Sequence, residues 1–244
     1  MYRIVLSTTL LFLSFTAFIA PTSIFAKEIS VVGFQAYALD SDDLVFQGDS
    51  RTSSEGGKVR EVVIYRNPAG KEIQRAETVY EEAGFVLVSY SKVDHRSGES
   101  ETMIKTGSVV ELRYKESAED DEESETLDWS ESMGFTSMIV PSIRKNWALL
   151  AQGDEVEMDF LVPSRLGTVG FRLTKEGEET IGGKAVVVIR MEPSAFVIRL
   201  LVDPLYFYLE SAQPRRLIQY RGRTSVKTDD GDSLDARLSY IYPD

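Results

Sequence analysis

From about residue 29 onward, apolar and polar positions alternate with a period of two, and turn-forming residues interrupt the alternation at short intervals. Half-buried antiparallel strands read this way. Ile29, Val31, Gly33 and Gln35 oppose Ser30, Val32, Phe34 and Ala36 in a first strand, and residues 44–46 begin a second. Residues 60–65 and 72–80 flank Asn67-Pro68-Ala69-Gly70. There the proline fixes φ and the glycine permits positive φ, so the spacing predicts a hairpin. Residues 85–93 then turn near Arg96-Ser97-Gly98 into strands at about 101–105 and 109–115.

The pattern changes at residues 116–125, which hold seven carboxylates and no cation. Self-repulsion and poor burial predict a solvated, flexible loop. A calcium site is the sharper alternative, but the central glycine and alternating spacing of a calcium loop are missing. Beyond it, Ile139, Ile143, Trp147 and Leu150 fall on one stripe of a helix predicted over 138–150. Ser137 or Thr136 could cap its start, Pro141 fits only in a first turn or at the start of a second segment, and Gly153 suits its end.

Strands resume from residue 155. Val156, Met158 and Phe160 alternate with Glu157, Asp159 and Leu161, and Val169, Phe171 and Leu173 alternate with Gly170 and Arg172. Gly182-Gly183 marks a hairpin. Residues 185–192 alternate less cleanly, as a strand covered on both faces would. Residues 196–202 and 206–209, split by Asp203-Pro204, read as further strands, followed by about 217–224 and 234–241. The expected fold is mainly β: a curved antiparallel sheet or open β-barrel of about 10–12 strands wrapping one amphipathic helix. No repeat or Pro/Ser-rich linker divides residues 27–244, so they are read as a single β-rich domain carrying the acidic loop at 116–125.

The first residues obey different rules. Arg3 precedes an uncharged run from Ile4 to Ala20, with an apolar centre at 10–15 and a small residue, Ala26, at a suitable cleavage point. This is the pattern of a secretory signal peptide over residues 1–26. An uncleaved anchor is the alternative, disfavoured by the seven Ser, Thr and Ala residues in the run and by Pro21 after it. Removing those 26 of 244 residues leaves 218 and takes the net charge from −12 to −13, because only Arg3 is lost. No second apolar span follows, so no transmembrane span is expected after cleavage. An exported chain without a single Cys suits a bacterial periplasm.

Composition also narrows the chemistry. Zero Cys excludes disulfides, thiolate-held zinc or iron–sulfur sites and a thiol nucleophile, and one His, His95, leaves no multi-histidine metal centre. The acidic balance argues against a nucleic-acid partner. The nucleophile-elbow, phosphate-loop, zinc-helix and dinucleotide patterns are all missing, and His95 reads as a surface turn residue. Glu155, Glu157 and Asp159 share a strand face at a spacing that glycosidases can use, but the plainer account is a wet face opposite Val156, Met158 and Phe160. Neither a catalytic residue nor a metal or cofactor is assigned, and the protein is not expected to be an enzyme. Basic residues concentrate at Arg215, Arg216, Arg221 and Arg223. Arg221 and Arg223 point one way in an extended strand, as an anion or partner contact or as ion-pair partners of neighbouring strands.

An exported Cys-free chain of many antiparallel strands with a Trp-bearing amphipathic helix resembles the lipoprotein-carrier superfamily of the Gram-negative envelope, the LolA/LolB-like fold. Residues 159–165 (Asp-Phe-Leu-Val-Pro-Ser-Arg), 202–205 (Val-Asp-Pro-Leu) and 220–222 (Tyr-Arg-Gly) also look like uncharacterised periplasmic proteins of proteobacteria. The resemblance implies a curved, incompletely closed sheet that holds acyl chains in its gap, and the missing lipobox Cys fits a soluble carrier and not an anchored receptor. The expectation is a periplasmic binding or carrier protein for an apolar ligand, a lipid or lipoprotein acyl chain. Its contacts would be Ile143, Trp147 and Leu150 on the helix and Phe160, Phe171 and Phe207 on strands. The alternative is a non-catalytic envelope interaction or assembly protein with a filled interior and an envelope protein partner; a carboxylate-based hydrolase comes third.

Overall fold

The computed structural model describes residues 27–200 and 202–243. The segment read as a signal peptide, 1–26, lies outside the described residues. The first half is an unbroken antiparallel meander: β1 (Lys27–Ala38), β2 (Leu44–Glu55), β3 (Lys58–Arg66), β4 (Glu72–Glu81), β5 (Val86–Asp94), β6 (Ser100–Thr106), β7 (Val109–Lys115) and β8 (Glu123–Asp128). The predicted turn at 67–70 forms as expected, with Gly70 at φ 85° and its N–H donating to the Asn67 carbonyl at 2.9 Å. The acidic run divides: residues 116–122 make a turn, while 123–125 extend into β8, an edge strand exposed along almost its whole length. Carboxylates there repel a second edge, which guards an unpaired ladder against association.

A two-residue strand β9 (Met133–Gly134) leads through a 3-10 turn at Thr136–Met138 into helices α1 (Ile139–Lys145) and α2 (Trp147–Gln152). Sequence periodicity predicts one helix here, whereas the structure has two, broken at Asn146. The Asn146 side chain donates to the Ser142 carbonyl at 3.0 Å, a local bond that competes with helix propagation. Pro141 sits in the first turn of α1, where its missing N–H costs nothing, and Gly153 ends α2 in the left-handed region at φ 93°. Ser137 does not cap the helix; its hydroxyl pairs with Thr78 at 2.8 Å.

The second half is another meander: β10 (Val156–Val162), β11 (Gly167–Ile181), β12 (Lys184–Pro193), β13 (Leu205–Glu210), β14 (Leu217–Lys227) and β15 (Ser233–Ile241). Residues 196–202, expected as a strand, instead begin with a short helix α3 (Phe196–Arg199). Both flanks of β12 are already taken by β11 and β13, so this apolar run has no edge to pair with.

All fifteen strands of the described residues join in one mixed sheet, ordered β8-β7-β6-β5-β4-β3-β2-β1-β15-β14-β13-β12-β11-β10-β9, where the alternation predicts ten to twelve. β9 pairs parallel with β10, and every other ladder is antiparallel. β1 and β15 join the two meanders at the centre, with Gly33 opposite Ile241 and Ala38 opposite Ala236. The sheet is not closed, yet it curls until its two outer regions share side chains. Met103, Val110 and Leu112 of β6 and β7 meet Leu161 of β10 in one buried cluster, with Phe135 and Met138 between them. The larger cluster fills the concave face of the other strands, where α1 and α2 lie. Val186 and Val188 on the opposite face of β12 are buried too, under Tyr208, so the expected two-sided burial of this strand is present.

One end of the curl is held by polar bonds that reach from the first meander to β14. Gln74 donates to the Ser225 hydroxyl at 3.0 Å, Lys227 pairs with Glu99 at 2.5 Å, and Arg96 bonds both Asp229 at 2.9 Å and the Lys227 carbonyl at 3.0 Å. Beneath them Lys92 is buried between Glu99 at 3.1 Å and Glu101 at 2.8 Å. Each charge has a partner, as burial of ions requires.

Candidate functional site

The six apolar positions predicted to face a ligand come together in the larger cluster. Ile143 and Leu150 project from α1 and α2 and are almost wholly buried, and Phe207 of β13 is buried against Tyr220, ring centroids 5.1 Å apart. Phe160 of β10 and Phe171 of β11 meet edge to face at 5.9 Å and pack on the same cluster while staying partly accessible. Trp147, at the start of α2, is also half-buried. The stripe on the helix and the alternation on the strands therefore converge on one face, as amphipathic elements must when they bury a single core.

These residues are packed against Phe34, Phe46, Leu173, Ile189 and Met191, so side chains occupy the space between helices and sheet. Three open clefts lie elsewhere. One of about 480 Å³ sits on the outer face, lined by Val188, Tyr206, Tyr208, Arg221 and Asp203 among others. Two more, of about 440 and 350 Å³, meet at the strand ends around Lys184 and Arg216. None of the three is lined by the six predicted contacts.

The two arginines predicted to share a strand direction do so, and both are exposed. Arg223 forms a two-bond pair with Asp235, at 2.8 and 3.3 Å, while Arg221 lines the outer cleft beside the tyrosines. The pairing account thus holds for Arg223. Hydrogen bonding to Asp235 outweighs desolvation and holds the Arg223 guanidinium above its usual pKa.

Glu155, Glu157 and Asp159 do not converge on a cleft. Glu155 lies 3.6 Å from Arg172, Asp159 accepts a bond from Ser132 at 2.6 Å, and Glu157 is exposed. Among the described residues no group of three or more His, Asp or Glu side chains is placed to hold a metal. His95 sits in an exposed turn, 3.3 Å from Glu72.

Sequence reasoning missed two arrangements. On the outer face beside α3, Glu192 takes bonds from Arg172, from Arg190 at 2.6 Å and from Arg199 at 3.3 Å. Burial pushes its carboxyl upward, but the three cations overcome this and hold it below the usual range. Arg190 is two residues away on the same strand, a spacing the sequence shows, but Arg172 and Arg199 reach Glu192 from β11 and α3, which no spacing could reveal. The second is an arginine layer over Trp147: the Arg215 guanidinium stacks 4.4 Å from the indole centroid, and Arg144 of α1 donates to the Arg215 carbonyl at 3.1 Å. The sequence signal was the basic run at 215–223, but its contact with the helix is purely tertiary.

Neither a family model nor a curated protein matches the chain. Among solved structures, one described as an outer membrane lipoprotein-sorting protein domain from Vibrio parahaemolyticus is similar at 8% identity, over 89% of this chain and 83% of that one, with a TM-score of 0.26. A likeness that slight assigns neither a fold nor a role. The fold itself defines a class: an open, curled β-sheet with a helix pair laid in its concavity. Among the described residues no helix is long and apolar enough to cross a membrane.

Proposed function

We propose that the protein is an exported, periplasmic binding or carrier protein for an apolar ligand, a lipid or lipoprotein acyl chain, taken up between α1–α2 and the concave face of the sheet. The observation that carries this reading is the contrast between plug and trough. The sheet is tied strand to strand by hydrogen-bonded ladders, whereas α1 and α2 have seven and six residues, neither has a side-chain N-cap bond, and Asn146 separates them. Helices this short depend on tertiary packing for their stability. Lifting them uncovers Phe160, Phe171 and Phe207 with the apolar residues around them, and an acyl chain can replace the contacts that Ile143 and Leu150 leave. No residue does covalent chemistry in this reading.

A second reading rests on the filled interior: a non-catalytic envelope interaction or assembly protein whose core is only a core and whose outer face meets a protein partner. Native mass spectrometry of the protein purified gently from a periplasmic extract separates the two. A stoichiometric fatty acid or phospholipid, lost in a folded Phe171→Asp or Trp147→Glu variant, is the outcome expected of the carrier. A clean apo mass, with no uptake of added lipid, would sink the carrier reading and leave the interaction protein.

A further inference from the structure

We propose that Arg144, Arg215 and Arg216 form an oxyanion site at the mouth of the interior, and that it takes the carboxylate or phosphate head of an amphiphile whose tail enters beside Trp147. The inference deepens the carrier reading and rests on it.

Three observations carry it. The first is unspent charge. The chain holds an excess of twelve negative charges, and most of its described arginines sit within 4.0 Å of a carboxylate, but among the described residues Arg144, Arg215 and Arg216 form no such pair. In a molecule this acidic, three guanidinium groups with no carboxylate in direct contact mark a place where an anion is favoured.

The second is geometry. The three belong to α1 and to the β13–β14 connection, and they gather around two aromatic rings. Arg215 lies over Trp147, Arg216 lies over Tyr242 at 5.2 Å, and Arg144 is tied to the Arg215 main chain. Stacking fixes the planes of two guanidinium groups while leaving edge N–H donors free, which suits bidentate capture of an oxyanion. The Nε of Arg215 is shielded from solvent and has no hydrogen-bond partner, as is true of Arg190 and Arg199, but those two already hold Glu192 and Arg215 holds no described carboxylate.

The third is access. Two of the open clefts, about 440 and 350 Å³, both include Arg216 and Lys184 in their walls, and Tyr242 lines the second. Glu210 is the described carboxylate on this rim: Lys184 engages it at 2.9 Å, and the Arg216 N–H and charge also help to lower its pKa, yet it forms no side-chain pair with Arg216. Arg216 itself faces the cleft, with Arg144 and Arg215 behind it. Trp147 joins the two regions: one face carries Arg215, and its ring packs on the apolar cluster with Ile143 and Leu150. An amphiphile laid along it would have its head at the arginines and its tail on the indole.

Calorimetric titration of the protein with lauric acid, methyl laurate and inorganic phosphate tests the site, using the wild type and an Arg144→Gln/Arg216→Gln variant. Both changes are at solvent-accessible side chains, so the fold should survive, and circular dichroism checks this. The expected result is that laurate binds at least tenfold more tightly than its ester, and that the variant loses this advantage while ester binding is unchanged. Equal binding of acid and ester to the wild type would overturn the head-group site and leave the carrier reading standing. Binding of phosphate alone, lost in the variant, with no uptake of either laurate or its ester, would keep the oxyanion site, name its source as a free ion and overturn the carrier reading. No binding of any of the three overturns both.

Discussion

At the scale of single residues, two positions show how closely the sheet constrains what it holds. Gly48 of β2 lies opposite Phe34 of β1 and Tyr65 of β3, whose rings meet 5.4 Å apart over its missing side chain. A Cβ at this position would stand 2.1 Å from the Ile64 carbonyl oxygen and 2.5 Å from the Phe34 ring, so the backbone itself would have to move. Gly48→Ala should destabilise the protein by about 1–3 kcal/mol in urea unfolding, the usual cost of forced overpacking. Asp94 makes the other case. Burial raises its carboxyl pKa, but hydrogen bonds from the Arg96 side chain and N–H prevail and hold it below the ordinary value. A lowered folded pKa stabilises the native state above the unfolded-chain value of about 3.9, and that contribution is lost as the pH falls through the lower folded value. Wild-type stability should therefore fall more steeply below pH 4 than that of Asp94→Asn, whereas parallel acid curves would show that the group contributes nothing.

At the scale of elements, the sequence was most legible where a turn chemistry and an alternation agreed. Asn67-Pro68-Ala69-Gly70 and Gly182-Gly183 fixed their hairpins, and the period of two put Phe160, Phe171 and Phe207 on the face that the helices cover. Legibility failed where neighbours decide. A run of Phe196, Val197 and Ile198 has the composition of a strand, yet it becomes α3 because no free edge adjoins it. Asn146 divides the predicted helix in two while its apolar stripe stays on one face, a break that periodicity does not register. β8 was hidden by its carboxylates, which suppress burial but not pairing. α3 also leaves Phe196, Val197 and Leu200 about two-thirds exposed. Because they bury little, the Phe196→Ser/Leu200→Ser double variant should keep wild-type stability to within about 0.5 kcal/mol, as surface changes usually do. A loss of several kcal/mol in thermal or urea unfolding would mean that α3 packs more tightly in solution.

At the scale of the whole molecule, the strand order is two local meanders joined by the β1–β15 ladder, and the helix pair is inserted between β9 and β10. Joining residue 243 to residue 27 by a linker of about six residues, which extended chain can span, and opening the chain at Glu131 would place every pair of neighbouring strands next to each other in sequence. That permutant should refold several-fold faster than the parent at similar stability, because contact order falls while the contacts stay the same. Stopped-flow refolding measures it, and a slower permutant would mean that the β1–β15 ladder does not limit folding. The same ladder bears on how the chain is made. On a ribosome β1 appears first and β15 last of the described strands, so the eight-stranded half can be complete while the outer edge of β1 is still bare. The growing chain therefore carries its stickiest seam in what will become its middle, and it stays a target for chaperones or for a second copy of itself until the final strand arrives to seal it.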